Sequence, residues 1–83
     1  MLNLHELNVF VEAAQAENFS VAARRLFLSQ PAVSLHIRNL EQQFGIELFQ
    51  RNGRNIALSP AGKVLLPMAQ DLLRQAKVIE EAM

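Results

Sequence analysis

Residues Ser20–Phe44 read SVAARRLFLSQPAVSLHIRNLEQQF. Ser20 is an N-cap residue ahead of a short helix, "VAARRLF", whose Ala22, Ala23 and Leu26 face inward. Alanines at the buried positions let another helix approach closely. The chain then turns tightly at "FLS". Ser29 or Gln30 caps a longer helix, and Pro31 fits its first turn, where no backbone donor is needed. Val33, Ile37, Leu40 and Phe44 form the inner stripe of this second helix, and Gly45 ends it in the left-handed conformation. A short helix, a tight turn and a longer helix make a helix-turn-helix.

The flanks extend the pattern. Upstream, Asn3 and Glu6 are spaced as a capping box, and Leu7, Phe10, Val11 and Ala14 make one buried helical stripe. Downstream, "RNGR" lies between two short apolar runs. Strands are expected near Leu48–Arg51 and Asn55–Leu58, with Asn52 and Gly53 as the positive-φ pair of a type I′ turn. That register sets Arg51 opposite Arg54, a destabilising pair of like charges. Ser59 and Pro60 then start a last helix, and Gly62 keeps its first turn slim. In this helix Leu65, Ala69, Leu72, Ala76, Ile79 and Met83 follow heptad spacing, which predicts a helix–helix dimer seam. Pro67 is expected to kink it.

Composition narrows the function. The 83 residues are enough for one domain, and 51% hydrophobic content supports a small core. The absence of cysteine excludes a disulfide framework, thiolate metal sites and a cysteine nucleophile. The start, MLNLHELNVF, does not read as a signal peptide, and no stretch approaches a membrane span, so a soluble, cytoplasmic protein is expected. His5 and His36, the only histidines, lack metal-ligand spacing, and His36 is expected to be partly buried and hydrogen-bonded. Ser29, Ser34 and Ser59 have no apparent base beside them. The expectation is no enzyme, no metal and no cofactor.

Net charge is zero, yet residues 20–63 carry Arg24, Arg25, Arg38, Arg51, Arg54 and Lys63 against only Glu41 and Glu47. A local positive field is what attracts a polyanion. With Val33 at the centre of the buried face, Pro31, Leu35, Arg38 and Gln42 point outward, with Ala32, Ser34 and Asn39 at the borders. Small and apolar side chains on an exposed first turn suit close approach to a DNA groove and contact with a thymine methyl. Gln30 can read adenine, Ser34 several bases, and Arg38 suits a phosphate. Free backbone N–H groups after Ser20 and Ser29 can bind phosphates. The competing reading is a protein-docking module that dimerises through the heptad helix.

The stretch FSVAARRLFLSQPAVSLHIRNLEQQFGIELFQRNGRNIALSPAG resembles the DNA-binding region of LysR-type transcriptional regulators. The likeness rests on Ala-Ala, Leu, Ser-Gln-Pro-Ala-Val-Ser, Ile, Leu-Glu, Gly, Leu-Phe, Arg and Ala-Gly, in order and at matching spacing. It implies a mainly α fold: a winged helix-turn-helix of three helices plus a two-stranded β-hairpin wing, over residues 1–58, then a linker and dimerisation helix over residues 59–83. It also implies double-stranded DNA as partner, with Ser29, Gln30, Pro31, Ala32 and Ser34 on the groove-facing turn and Arg51 and Arg54 on the wing. A homodimer through the linker helix, a tetramer of the full-length protein and a small-molecule effector held by a domain outside this chain follow from the same resemblance. Leu35 and Asn55 stand where many relatives carry basic residues.

Overall fold

The computed structural model describes residues 1–83. Helices α1 (Leu4–Ala16), α2 (Phe19–Leu26) and α3 (Gln30–Phe44) are followed by strands β1 (Phe49–Asn52) and β2 (Asn55–Leu58) and by helix α4 (Pro60–Ala82). None of the helices is long and apolar enough to cross a membrane.

α1 is the hub. It buries Leu7, Val9, Phe10, Val11 and Ala13, a wider face than one stripe, because α2, α3 and α4 all pack around it. Its partners contribute Ala22 and Ala23 from α2, Val33, Ile37 and Leu40 from α3, and Ala69 from α4. Phe49 of β1 joins the hairpin to this core. Its ring lies 5.4 Å from that of Phe10 and meets that of Phe19 edge-on at 5.6 Å.

Helix ends follow local chemistry. Asn3 Oδ1 accepts from the Glu6 N–H at 3.0 Å, but the Glu6 side chain does not complete a capping box, because it turns away to α3. The N-cap of α2 is Asn18 rather than Ser20: its Oδ1 accepts from the Val21 N–H at 2.9 Å, and Ser20 is an exposed residue inside the first turn. Asn18 takes the position because its Nδ2 also reaches the Arg54 carbonyl of the wing, at 3.5 Å. Ser29 caps α3, Gly45 ends it at φ +67°, and Ser59 caps α4. The "FLS" turn is made by Phe27 at φ +57°, where a bulky side chain costs about 1 kcal/mol relative to glycine. Phe44, expected in the inner stripe of α3, is 42% exposed, because the core ends at Leu40 and the last turn of α3 overhangs it.

The wing differs from the expected register by two residues. Phe49 pairs with Leu58, Arg51 with Ile56, and Asn52 with Asn55. Arg51 and Arg54 therefore do not face each other. The two-residue loop is Gly53-Arg54, and only Gly53 takes a positive φ (+67°), the type II′ pattern rather than I′. A two-residue slip leaves the inward face unchanged. It brings Leu58 opposite Phe49 instead of Glu47, which gathers the apolar residues on the core side. The Ile56 N–H donates to the Glu17 carbonyl at 3.1 Å and fixes β2 against the end of α1.

α4 is continuous through Pro67, which is exposed. The predicted seam divides along its length. Ala69 is 2% exposed and Leu65 half-buried, both against the protomer's own core, whereas Leu72, Ile79 and Met83 are 38%, 63% and 97% exposed. Ala76 is half-buried. The heptad reading assumed no core to cover the first half of this helix, and α1 supplies one. Ala69 therefore has no surface left for a partner. Val64 (65%) and Met68 (63%) take the exposed apolar positions instead.

Candidate nucleic-acid interface

α3 is held on its inner side by Val33, Ile37 and Leu40, exposed at 0%, 3% and 0%. Its other side is open: Gln30, Pro31, Leu35 and Arg38 are exposed, and Ala32 and Ser34 lie half-buried at the borders. The outer face predicted from helical spacing is thus the face that the packing leaves free.

Polar contacts fix the angle of α3 on α1. Glu6 Oε2 accepts from Asn39 Nδ2 at 2.9 Å and lies 3.0 Å from His36 Nδ1, a contact that requires the proton on Nδ1. His5, far away in sequence, meets the His36 ring edge-on at 4.8 Å. Burial by itself raises the pKa of the Glu6 carboxyl. The hydrogen bonds from His36 and Asn39 and the charges of His36 and His5 outweigh that, and hold it below its ordinary value of 4.5. A carboxyl lowered on folding stabilises above its unfolded pKa, and that contribution is lost as pH falls through the folded value. Glu6→Gln is therefore expected to lose less stability than the parent on acidification below pH 4.5. Urea midpoints measured along an acid series check this, and identical slopes for both proteins would count against it.

Glu41 anchors the other end. Its Oε2 accepts from the N–H groups of Leu48 at 2.8 Å and Phe49 at 3.4 Å, which ties the entry of β1 to α3. One of the two acidic residues in the basic stretch is thereby committed to the backbone. The other, Glu47, lines a cleft of about 310 Å³ between α3 and the wing, together with Arg38, Arg51 and Ser34. The Arg51 guanidinium lies 5.4 Å above the Phe19 ring. Arg51 thus turns toward the domain, while Arg54 occupies the tip.

The helix N-termini offer fewer anion donors than the sequence promised. At α3, Ser29 Oγ accepts from the Ala32 N–H at 3.2 Å and Pro31 has no N–H, so only the Gln30 N–H is free in the first turn. At α2, the N–H groups of Phe19 and Ser20 are free, since Asn18 takes those of Val21 and Ala22. Arg24 and Arg25 are exposed in the last turn of α2.

Residues 4–63 match the family model described as bacterial regulatory helix-turn-helix protein, lysR family. The chain belongs to that family. A LysR-family relative, the HTH-type transcriptional regulator CitR of Bacillus subtilis (strain 168), is 49% identical over 67 residues, covering 81% of this chain and 23% of CitR. Two solved structures carry the same arrangement. The DNA-binding domain of CbnR in complex with DNA superposes with a TM-score of 0.92 at 32% identity, covering 98% of this chain and 93% of that one. The DNA-binding domain of BenM with catB site 1 DNA gives 0.91 at 31% identity, covering 96% and 86%. The chain spans about a quarter to a half of the length of its curated LysR-family relatives.

The LysR-type helix-turn-helix and wing bring Gln30, Pro31, Ser34, Leu35 and Arg38 onto one open face, with Ser29 at its start. Arg51 and Arg54 lie on the wing but do not act as a facing pair. Sequence reading missed Asn18, Glu6, Asn39 and Glu41 as anchors. Asn18 was legible, since asparagine is as good an N-cap as serine. The others bond over 7 to 33 residues and leave no local signal.

Proposed function

We propose that this chain binds double-stranded DNA sequence-specifically, with α3 in the major groove. The observation that carries the proposal is the open face of α3. It begins with Gln30, Pro31 and Ser34, small or uncharged at the groove-entering end, and carries Arg38 further along. That order suits base contact first and phosphate contact behind it. The DNA complexes of the CbnR and BenM domains support the reading. The wing, with Arg54 at its tip, lies against the backbone or the neighbouring minor groove. Ser20 lies at the free N-terminus of α2, beside a phosphate.

The test is binding to random-sequence duplex at several salt concentrations. Arg54→Ala is expected to weaken binding to all sequences and to lower the salt slope by about 1. Arg51→Ala gives a similar change, with an added loss of packing over Phe19. Unaltered salt dependence in both variants removes the wing from the interface. Absence of any salt-sensitive binding by the parent chain favours protein docking instead.

The proposed assembly is a two-fold dimer through α4, with half-sites about 34 Å apart or a multiple of that. The exposed Leu72, Ile79 and Met83 support it, as does the apolar groove that Leu2, Phe44, Leu65 and Met68 form beside Leu72. Residues 1–58 then face DNA, and residues 59–83 carry the dimer helix, rooted in the same core through Ala69. Persistence of a dimer on sedimentation after Leu72→Glu and Ile79→Glu would locate the interface elsewhere. The role is binding without catalysis, in the cytoplasm, as part of a longer regulator that forms tetramers and takes its small-molecule effector in another domain.

A further inference from the structure

The two side chains best placed to read bases are bonded to each other. Gln30 Nε2 donates to Ser34 Oγ across one turn of α3, at 3.0 Å. Gln30 is exposed and Ser34 half-buried beside Val33 and Ile37, so the short serine is the fixed member and the long glutamine the held one. An exposed glutamine ordinarily samples many rotamers and loses that freedom on binding. A side chain already ordered in its bound form binds at lower entropic cost.

The contact also decides which groups remain. A carboxamide has two N–H donors and one carbonyl oxygen. With one N–H on Ser34, Gln30 keeps one donor and one acceptor. Adenine presents one acceptor, N7, and one donor, the N6 amino group, in the major groove; guanine presents two acceptors there. Ser34 Oγ keeps its own O–H and a second lone pair, but its side chain is short and half-buried at the border of the face, whereas the exposed Gln30 reaches beyond it.

We infer that Ser34 reads no base of its own and is a positioning residue, which holds the Gln30 carboxamide for bidentate recognition of adenine. This rests on the DNA-binding reading above and refines it. The two side chains act as one reading unit at one base pair. Threonine at position 34 keeps the hydroxyl acceptor; alanine does not.

Selection from a randomised duplex library tests the unit, with the parent chain, Gln30→Ala, Ser34→Ala, Ser34→Thr and the double alanine variant. The parent is expected to enrich an A·T pair at one position of each half-site. Gln30→Ala and Ser34→Ala each lower that preference about tenfold at the same position. The double variant loses no more than either single, Ser34→Thr retains the preference, and salt slopes stay unchanged throughout. Three results would overturn the inference: a Ser34→Ala variant that keeps the A·T preference, one that loses preference at a different position, or losses that sum in the double variant. A parent chain that enriches no sequence overturns the DNA-binding reading itself, and the inference with it. Matching helical spectra and melting curves for all variants exclude misfolding as the cause.

Discussion

Replacing Phe49 by alanine is expected to remove about 3–5 kcal/mol of folding free energy. Phe49 is 6% exposed and its ring contacts those of both Phe10 and Phe19. The loss combines the transfer free energy of the ring with the cavity it leaves. It also removes two aromatic pairs, each contributing about 0.5–1.5 kcal/mol beyond area burial. A domain of 83 residues has a total stability of about 4–12 kcal/mol, so the variant sits close to unfolding. The damage reaches the interface as well, because Phe49 is the residue through which β1 joins the core, and Phe19 carries the Arg51 guanidinium. Chemical denaturation gives the magnitude. Hydrogen exchange at Arg51–Asn55 reports the wing, whose amides are expected to exchange faster than those of α1. A loss below about 1 kcal/mol would mean that the wing is not anchored through this ring.

Gly62→Ala is the second large effect, and its sign is not obvious from the sequence. In the interior of a helix alanine is favoured over glycine by about 1 kcal/mol. Here a Cβ at position 62 would meet the carbonyl oxygen of Leu48 well inside van der Waals contact, and Leu58 Cδ2 at 2.9 Å. The leucine side chain can move. The carbonyl cannot easily do so, because it accepts the Ser59 N–H at 3.0 Å while Ser59 Oγ donates to the neighbouring Glu47 carbonyl at 2.7 Å. Ser59 thus clamps the start of α4 onto the entry to β1, at a spacing only glycine permits. Overpacking against a fixed backbone is expected to cost about 3 kcal/mol, and since Gly62 lies in the first turn of α4 the propensity gain is at most the interior value, leaving a net loss of about 2–3 kcal/mol. Thermal melting should show a fall of about 4–8 °C for each kcal/mol. An alanine variant that melts at or above the parent temperature would show that α4 can back away from β1.

Both effects bear on function through the same route. On the proposed reading, base recognition by α3 depends on its angle to the wing and to the neighbouring helices. That angle is set by side-chain contacts to a few points of backbone: Glu41 on Leu48 and Phe49, Ser59 on Glu47, and Asn18 on Arg54. Glu6 adds a side-chain anchor to His36 and Asn39. All of these lie outside the face proposed to meet DNA. Substitutions at them are expected to change affinity through orientation, and substitutions on the open face to change base preference.

What the amino-acid sequence by itself determined was the set of elements and their inner and outer sides. Periodicity, caps and glycine placement marked α1, α3, the hairpin and the start of α4, because each of those signals acts within a few residues. The open face of α3 followed from 100° per residue once Val33 was set inward. The tertiary structure alone decided what pairs across distance. The wing slipped by two residues because Leu58 finds Phe49 and because β2 bonds to Glu17, neither of which periodicity can express. The heptad seam of α4 divided because α1 offers a face wide enough to cover Leu65 and Ala69, while the same spacing beyond Leu72 runs past the core. Local preference sets which way a side chain turns; whether anything meets it there depends on contacts that no short window of sequence contains.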